Sequence, residues 1–161
     1  MKKLIPLFTL LLFITSCGKA DVTPQLTNIG FSADICYYNE NYKGDCTVSE
    51  DGAFKITLTE PESLAGYTVT VEKDKITAEY LGLSFTPTKN NMPQSSVMTE
   101  FYEKYTAAAQ IPPEKKGDNL IIKGGDGIGA YTLYISPTGL PQKMTLPDER
   151  FTVYFYNATV L

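Results

Sequence analysis

The chain has 161 residues, with 14 basic against 18 acidic side chains and a formal net charge of −4. An acidic chain without a basic cluster argues against nucleic acid as a partner, because phosphate binding rests on Lys and Arg. The absence of histidine removes the commonest general base, the commonest zinc ligand and the usual Ser–His and Cys–His pairings.

The chain opens with Met1-Lys2-Lys3, followed by an almost unbroken apolar run from Leu4 to Ile14. A basic start and a run too short to span a bilayer form the layout of a secretory signal peptide. The run ends in Ile14-Thr15-Ser16-Cys17, which resembles the lipobox of bacterial lipoproteins. That resemblance implies a diacylglyceryl group on the Cys17 sulfur and cleavage just before it. An ordinary secretory signal with an incidental cysteine is the other reading. The expected organisation is a signal peptide over 1–16, a lipidated N-terminus and tether over 17–30, with Leu26 and Ile29 as candidate points where it joins the fold, and one β-rich domain over 31–161. Cleavage removes Lys2 and Lys3, leaving 12 basic against 18 acidic side chains, or −6. Such a domain gains nothing from anionic lipids, so the lipid on Cys17 has to hold the membrane alone.

Two further cysteines, Cys36 and Cys46, flank a polar, turn-like stretch from Asn39 to Gly44. An exported protein can keep a disulfide there. If Ile35 pairs with Val48, however, the two sulfurs point to opposite faces unless a bulge restores the match. The sequence leaves a bridge and two free thiols both open.

Period-2 alternation then dominates. Phe31, Ala33, Ile35 and Tyr37 predict one strand, Phe54, Ile56 and Leu58 another, and Tyr67, Val69 and Val71 a third. Ile76, Ala78 and Tyr80 are followed by Leu81, Leu83 and Phe85 in the opposite parity, which predicts a bulge or bend near Tyr80-Leu81-Gly82. From Ser95 to Ala109 the apolar residues fall at three- and four-residue spacing, between Pro93 and Pro112-Pro113, which predicts one amphipathic helix. Strands resume at 120–122, 131–135, 143–146 and 151–156, separated by the glycine cluster 124–129 and by Ser136-Pro137-Thr138-Gly139-Leu140-Pro141.

Few catalytic chemistries remain. Glu60 with Glu62 and Asp148 with Glu149 sit beside prolines at strand or turn ends and read as solvated turn residues. The cluster at 124–129 lacks the Gly-Lys-Ser/Thr ending and the helix a phosphate loop needs, and Asp126 alone cannot make a calcium loop. No enzyme activity and no cofactor or metal are expected, apart from the covalent lipid on Cys17.

Two stretches resemble a known superfamily. Gly52-Ala53-Phe54-Lys55-Ile56-Thr57-Leu58-Thr59-Glu60-Pro61 is a strand that ends at a proline. Tyr131-Thr132-Leu133-Tyr134-Ile135 runs into the turn Thr138-Gly139-Leu140-Pro141, with Phe151 to Tyr156 following. With a strand meander, one helix, more strands and a lipobox in front, the chain resembles the lipoprotein carriers LolA and LolB and related small lipoproteins of Gram-positive bacteria. The resemblance implies an α+β, mostly β fold: a curved antiparallel half-barrel with a helix across its concave face. It also implies a lipid-anchored protein on the extracytoplasmic face of the cell membrane, a Gram-positive surface being favoured over an outer membrane.

The functional expectation is a non-catalytic module that binds an acyl chain or other apolar ligand between sheet and helix. The candidate lining is Phe54, Ile56, Val69, Phe101, Tyr102, Tyr105, Leu133 and Val153. The alternative is a structural or protein-interaction lipoprotein of the cell envelope with a filled core.

Overall fold

The structure, a computed structural model, describes residues 22–73, 75–86, 93–117, 119–127, 129–147 and 150–161. The expected signal peptide and Cys17 lie outside these residues, as do Asp148 and Glu149. Eleven strands form one open antiparallel sheet: β1 (Ile29–Tyr37), β2 (Glu40–Val48), β3 (Phe54–Glu60), β4 (Thr68–Glu72), β5 (Lys75–Tyr80), β6 (Leu83–Phe85), β7 (Glu114–Lys116), β8 (Asn119–Gly124), β9 (Tyr131–Ile135), β10 (Pro141–Leu146) and β11 (Phe151–Val160). Among the described residues a single helix, α1 (Pro93–Ala108), lies between β6 and β7 in the chain, and a short 3-10 turn (Glu62–Leu64) follows β3.

The strand order is β6-β5-β4-β3-β2-β1-β11-β10-β9-β8-β7. The first and last strands therefore pair at the centre, and the chain forms two wings, β1–β6 and β7–β11. The helix touches β4 and β5 in one wing and β8 and β9 in the other. In a flat sheet β5 and β9 would lie seven strand spacings apart, about 34 Å. A 16-residue helix is only about 24 Å long, so the sheet has to curl toward it. The expected half-barrel, with one helix on its concave side, is the observed fold.

Alternation decides which side faces the helix. Ile122, Leu133, Met144, Val153, Ile35 and Tyr42 line up across six strands, all of them buried. Their sequence neighbours Thr132, Thr145, Thr152, Asp34 and Lys43 look outward and are at least partly exposed. Along the helix the buried positions Met98, Phe101, Tyr105 and Ala108 recur every three or four residues, the stripe a 3.6-residue repeat presents to one side.

Five details differ from the sequence reading. The helix begins at Pro93 instead of Ser95, since proline's fixed φ suits the first helical turn, where its missing N–H costs nothing. The stretch read as a turn from Asn39 to Gly44 belongs mostly to β2; the turn is Tyr38-Asn39 alone, and Ile35 pairs with Tyr42, not with Val48. Leu81-Gly82 is neither bulge nor bend but a two-residue hairpin turn, with φ of 50° and 80° and Tyr80 paired to Leu83. That pairing keeps Tyr80 and Leu83 on one face, so the alternation reverses parity without any irregularity. β7, with its sequence Glu-Lys-Lys, has no apolar signal. Finally, the fold starts before residue 31: β1 begins at Ile29, and Leu26 is already in the core.

The segment from Val22 to Thr27 is held by the turn between β9 and β10. Gln25 N–H donates to the Gly139 carbonyl at 2.8 Å. Gly139 sits at φ 90°, and a Cβ there would stand 2.7 Å from the Thr23 carbonyl oxygen. Both facts require glycine. Gly139→Ala should therefore destabilise the fold by about 1–3 kcal/mol, measured by urea unfolding, with faster proteolysis within residues 22–27. Unchanged stability and unchanged cleavage would rule out this packing.

Candidate functional site

The concave face is built from rings. Phe101 lies between Phe54 (centroids 5.3 Å apart), Tyr105 (5.7 Å), Phe151 (5.8 Å) and Phe155 (6.0 Å), and Phe31 meets Phe155 edge-on at 4.9 Å. Such tilted and edge-to-face contacts are the geometries aromatic pairs favour. Seven of the eight expected lining residues, Phe54, Ile56, Val69, Phe101, Tyr105, Leu133 and Val153, are buried in this one core cluster, and Tyr102 packs against it half-buried. They share one packed core cluster, and of the eight only Tyr105 borders either of the cavities described below. Between Phe54, Phe101 and Tyr102 the space is occupied by the rings themselves.

Cys36 and Cys46 are both free thiols. Cys36 pairs with Asn41 and Cys46 with Phe31, on opposite faces of the sheet. Of the two states the sequence left open, the structure has the unbridged one. The physical reason is parity: inner positions are odd in β1 and even in β2, so Cys46 is buried and Cys36 faces outward.

Burial shapes the titration of this core. The Cys46 thiol is pushed well above its ordinary 9.0, first by loss of water and then by Asp45. Tyr105 is raised by burial and by Cys46, and its hydroxyl has no hydrogen-bond partner among the described residues. Tyr42 is pushed up to about 12, chiefly by burial and then by its hydrogen bond to the Glu40 carboxylate. In each case the folded state keeps a proton that the unfolded chain has lost. Stability is then fully present below the unfolded values of 9.0 and 10.0 and falls as pH rises through the alkaline range. We expect the urea midpoint to drop steadily from about pH 9 upward, with part of the tyrosinate absorbance appearing only on unfolding. A midpoint flat to about pH 11 would contradict these assignments.

Two cavities open at the C-terminal end of α1. The larger, about 520 Å³, is walled by Pro24, Leu26, Ile111, Pro112, Pro113 and Ile122. The smaller, about 220 Å³, is bordered by Val48, Glu50, Asp51 and Tyr105. Leu26, Thr27, Ala109 and Gln110 belong to both walls, so the two are neighbours. Among the described residues, neither has a Lys or Arg in its lining. The walls come from three distant parts of the chain, and no local motif in the sequence marks them.

Among the described residues, the carboxylates considered for catalysis do not converge. Glu60 pairs with Lys43 at 3.0 Å on the exposed outer face, and Glu62 and Asp126 are exposed at separate turns. Among the described residues, no three His, Cys, Asp or Glu side chains gather in a metal-ligating cluster, and no helix is long and apolar enough to cross a membrane. The two sheet edges differ. β7 carries Glu114, Lys115 and Lys116, whereas β6 exposes Leu83 (70 %) and Phe85 (39 %) beside Leu81 (83 %).

No protein-family model and no curated protein matches the chain. Among solved structures it is similar to a LolA superfamily protein from Nitrosomonas europaea, at 10 % identity and a TM-score of 0.44, over 83 % of this chain and 84 % of that one. It is also similar to an uncharacterized conserved protein from Thermus thermophilus, at 11 % identity and a TM-score of 0.49, over 84 % and 79 %. A third similarity is to a chain in the structure of the CwlD amidase from Clostridioides difficile in complex with the GerS lipoprotein. There the identity is 18 % and the TM-score 0.49, over 81 % and 85 %. At these identities the roles of individual residues rest on the geometry described above.

Proposed function

We propose that this chain is an exported bacterial lipoprotein, anchored through a diacylglyceryl group on Cys17, whose folded domain is a non-catalytic binding module of the cell envelope. The observation that carries the reading is the order of basic start, apolar run and Ile14-Thr15-Ser16-Cys17. Two acyl chains suffice for stable anchoring, each buried methylene contributing about 0.8 kcal/mol. The acidic folded domain supplies no competing attraction to the membrane or to nucleic acid. It stands on the extracytoplasmic side, and a Gram-positive surface is favoured. Growth with a clickable fatty acid should label the protein covalently; an unlabelled protein recovered at normal yield would sink the reading.

The module takes an apolar ligand on the helix side of the sheet. A single helix over 11 strands covers only part of the concave face, and cavities open at its end. Native mass spectrometry of protein purified from membranes should show a non-covalent mass in addition to the covalent lipid. A bare acylated mass in repeated preparations would count against a ligand.

A second reading, docking to another envelope protein, is favoured by one observation: among the described residues β6 is an edge strand with no partner on its outer side, beside exposed Leu83 and Phe85. Such an edge is a template for strand addition unless charges blunt it. Leu83→Lys should then shrink the detergent-extracted complex, and an unchanged size would exclude this edge.

A further inference from the structure

We propose that the two neighbouring cavities at the C-terminal end of α1 form one site for a cationic amphiphile, an aliphatic chain ending in an ammonium group. The chain occupies the larger cavity, and the ammonium reaches the smaller one beside Glu50 and Asp51. This deepens the apolar-ligand reading by naming a site and a ligand class.

Three observations support it. The larger cavity, at about 520 Å³, is in the size range of small-molecule sites. Its Pro24, Leu26, Ile111, Pro112, Pro113 and Ile122 walls suit an alkyl chain. Among the described residues the smaller cavity has two carboxylates and no basic side chain in its lining, so an anionic head group would meet like charges.

The acidic end is built, not incidental. Asp51 accepts hydrogen bonds from the Ser49 hydroxyl and, at 3.4 Å, from the Ala53 N–H. Those contacts, with a smaller contribution from Lys73, hold its carboxyl below the usual range. Asp51 is therefore ionised at neutral pH, in a fixed place. The helix ends at this point, and the C-terminal pole of a helix dipole also favours a cation.

The position of the site suits such a ligand. Thr23 in the cavity wall lies six residue steps after Cys17, a reach of about 20 Å when extended. An anchored protein would hold the opening that close to the lipid surface. This last point rests on the lipid-anchor reading, whereas the charge and shape arguments do not.

The test uses the acylated protein in phosphatidylcholine nanodiscs, with the methyl groups of Leu26, Ile111 and Ile122 followed by NMR. The probes are hexylammonium, hexanoate and hexanol, with empty nanodiscs as the partition control. Hexylammonium should shift those methyls saturably and bind about tenfold tighter than hexanoate at low salt, with the ratio falling as salt rises. Glu50→Gln with Asp51→Asn should bring the ratio close to one, and Glu50→Gln alone should lower it while leaving the remaining methyl spectrum intact. Equal or tighter hexanoate binding, shifts confined to other methyls, or no saturable shift with hexylammonium would overturn the proposal. The intact mass of the same preparation reports the anchor separately, so a missing lipid and an empty cavity are distinct failures.

Discussion

Replacing Phe101 with alanine should lower the stability of the fold by about 3–5 kcal/mol, the range for truncating a fully buried phenylalanine. Phe101 has no exposed surface and lies against rings from β3 (Phe54) and from β11 (Phe151 and Phe155). It therefore couples the centre of the sheet and the N-terminal wing to the only helix among the described residues. The cavity left behind cannot collapse easily, because Phe54 and Phe155 project from strands paired on both sides. Since domains of this size are stable by only about 5–15 kcal/mol, one truncation removes a large share. The melting temperature should fall by roughly 10–15 °C. Tyr102 is the internal control: it sits one position along the helix, half-buried, with its ring 6.2 Å from Phe54. Tyr102→Ala should cost only about 1–2 kcal/mol. Equal losses at the two positions would mean that the helix is not seated on Phe101.

The second large effect concerns location. Cys17→Ala should move nearly all of the protein out of the membrane fraction or leave it as an uncleaved precursor, because the proposed diacylglyceryl anchor is placed on that sulfur. The folded domain offers no substitute. The chain after cleavage carries a side-chain charge of −6, so anionic lipid repels it, and among the described residues no helix can cross a bilayer. Fractionation with a salt wash and gel mobility distinguish the outcomes. Cleaved Cys17→Ala protein that stays with membranes through high salt would show that something other than this lipid holds it.

Much of the fold was legible because alternation survives wherever both wings bury one face. Phe54-Ile56-Leu58, Tyr131-Leu133-Ile135 and Phe151-Val153-Phe155 keep period 2 without interruption, and the helix keeps its three- and four-residue spacing. What was hidden follows from particular residues. In β2 the inner positions read Tyr42, Gly44, Cys46 and Val48, and the missing side chain at Gly44 broke the pattern. Gly44 itself is required: a Cβ there would meet the Thr57 carbonyl oxygen at 2.8 Å, at the point where the β2–β3 register shifts. β7 is an edge strand whose charges serve to keep other strands away, so it carries no apolar signal to detect. At Leu81-Gly82 a two-residue turn imitates a bulge, because both reverse parity in the sequence.

The candidate lining was legible as core, since an aromatic stripe on a helix has to face the sheet. The cavities were not. They depend on where Thr23-Pro24, the end of α1 and the Glu50-Asp51-Gly52 turn meet, and that meeting is set by the closure of β1 on β11 and by the Gly139 contact with Thr23. The sequence marked Leu26 and Ile29 as points where the tether joins the fold, but not the packing of Thr23 against Gly139.

The most direct test of the account is the intact mass of the protein extracted from membranes of its own host. The account predicts a chain that begins at Cys17 and carries a diacylglyceryl group. A mass matching the unprocessed chain from Met1, or a cleaved chain without any acyl group, would contradict it.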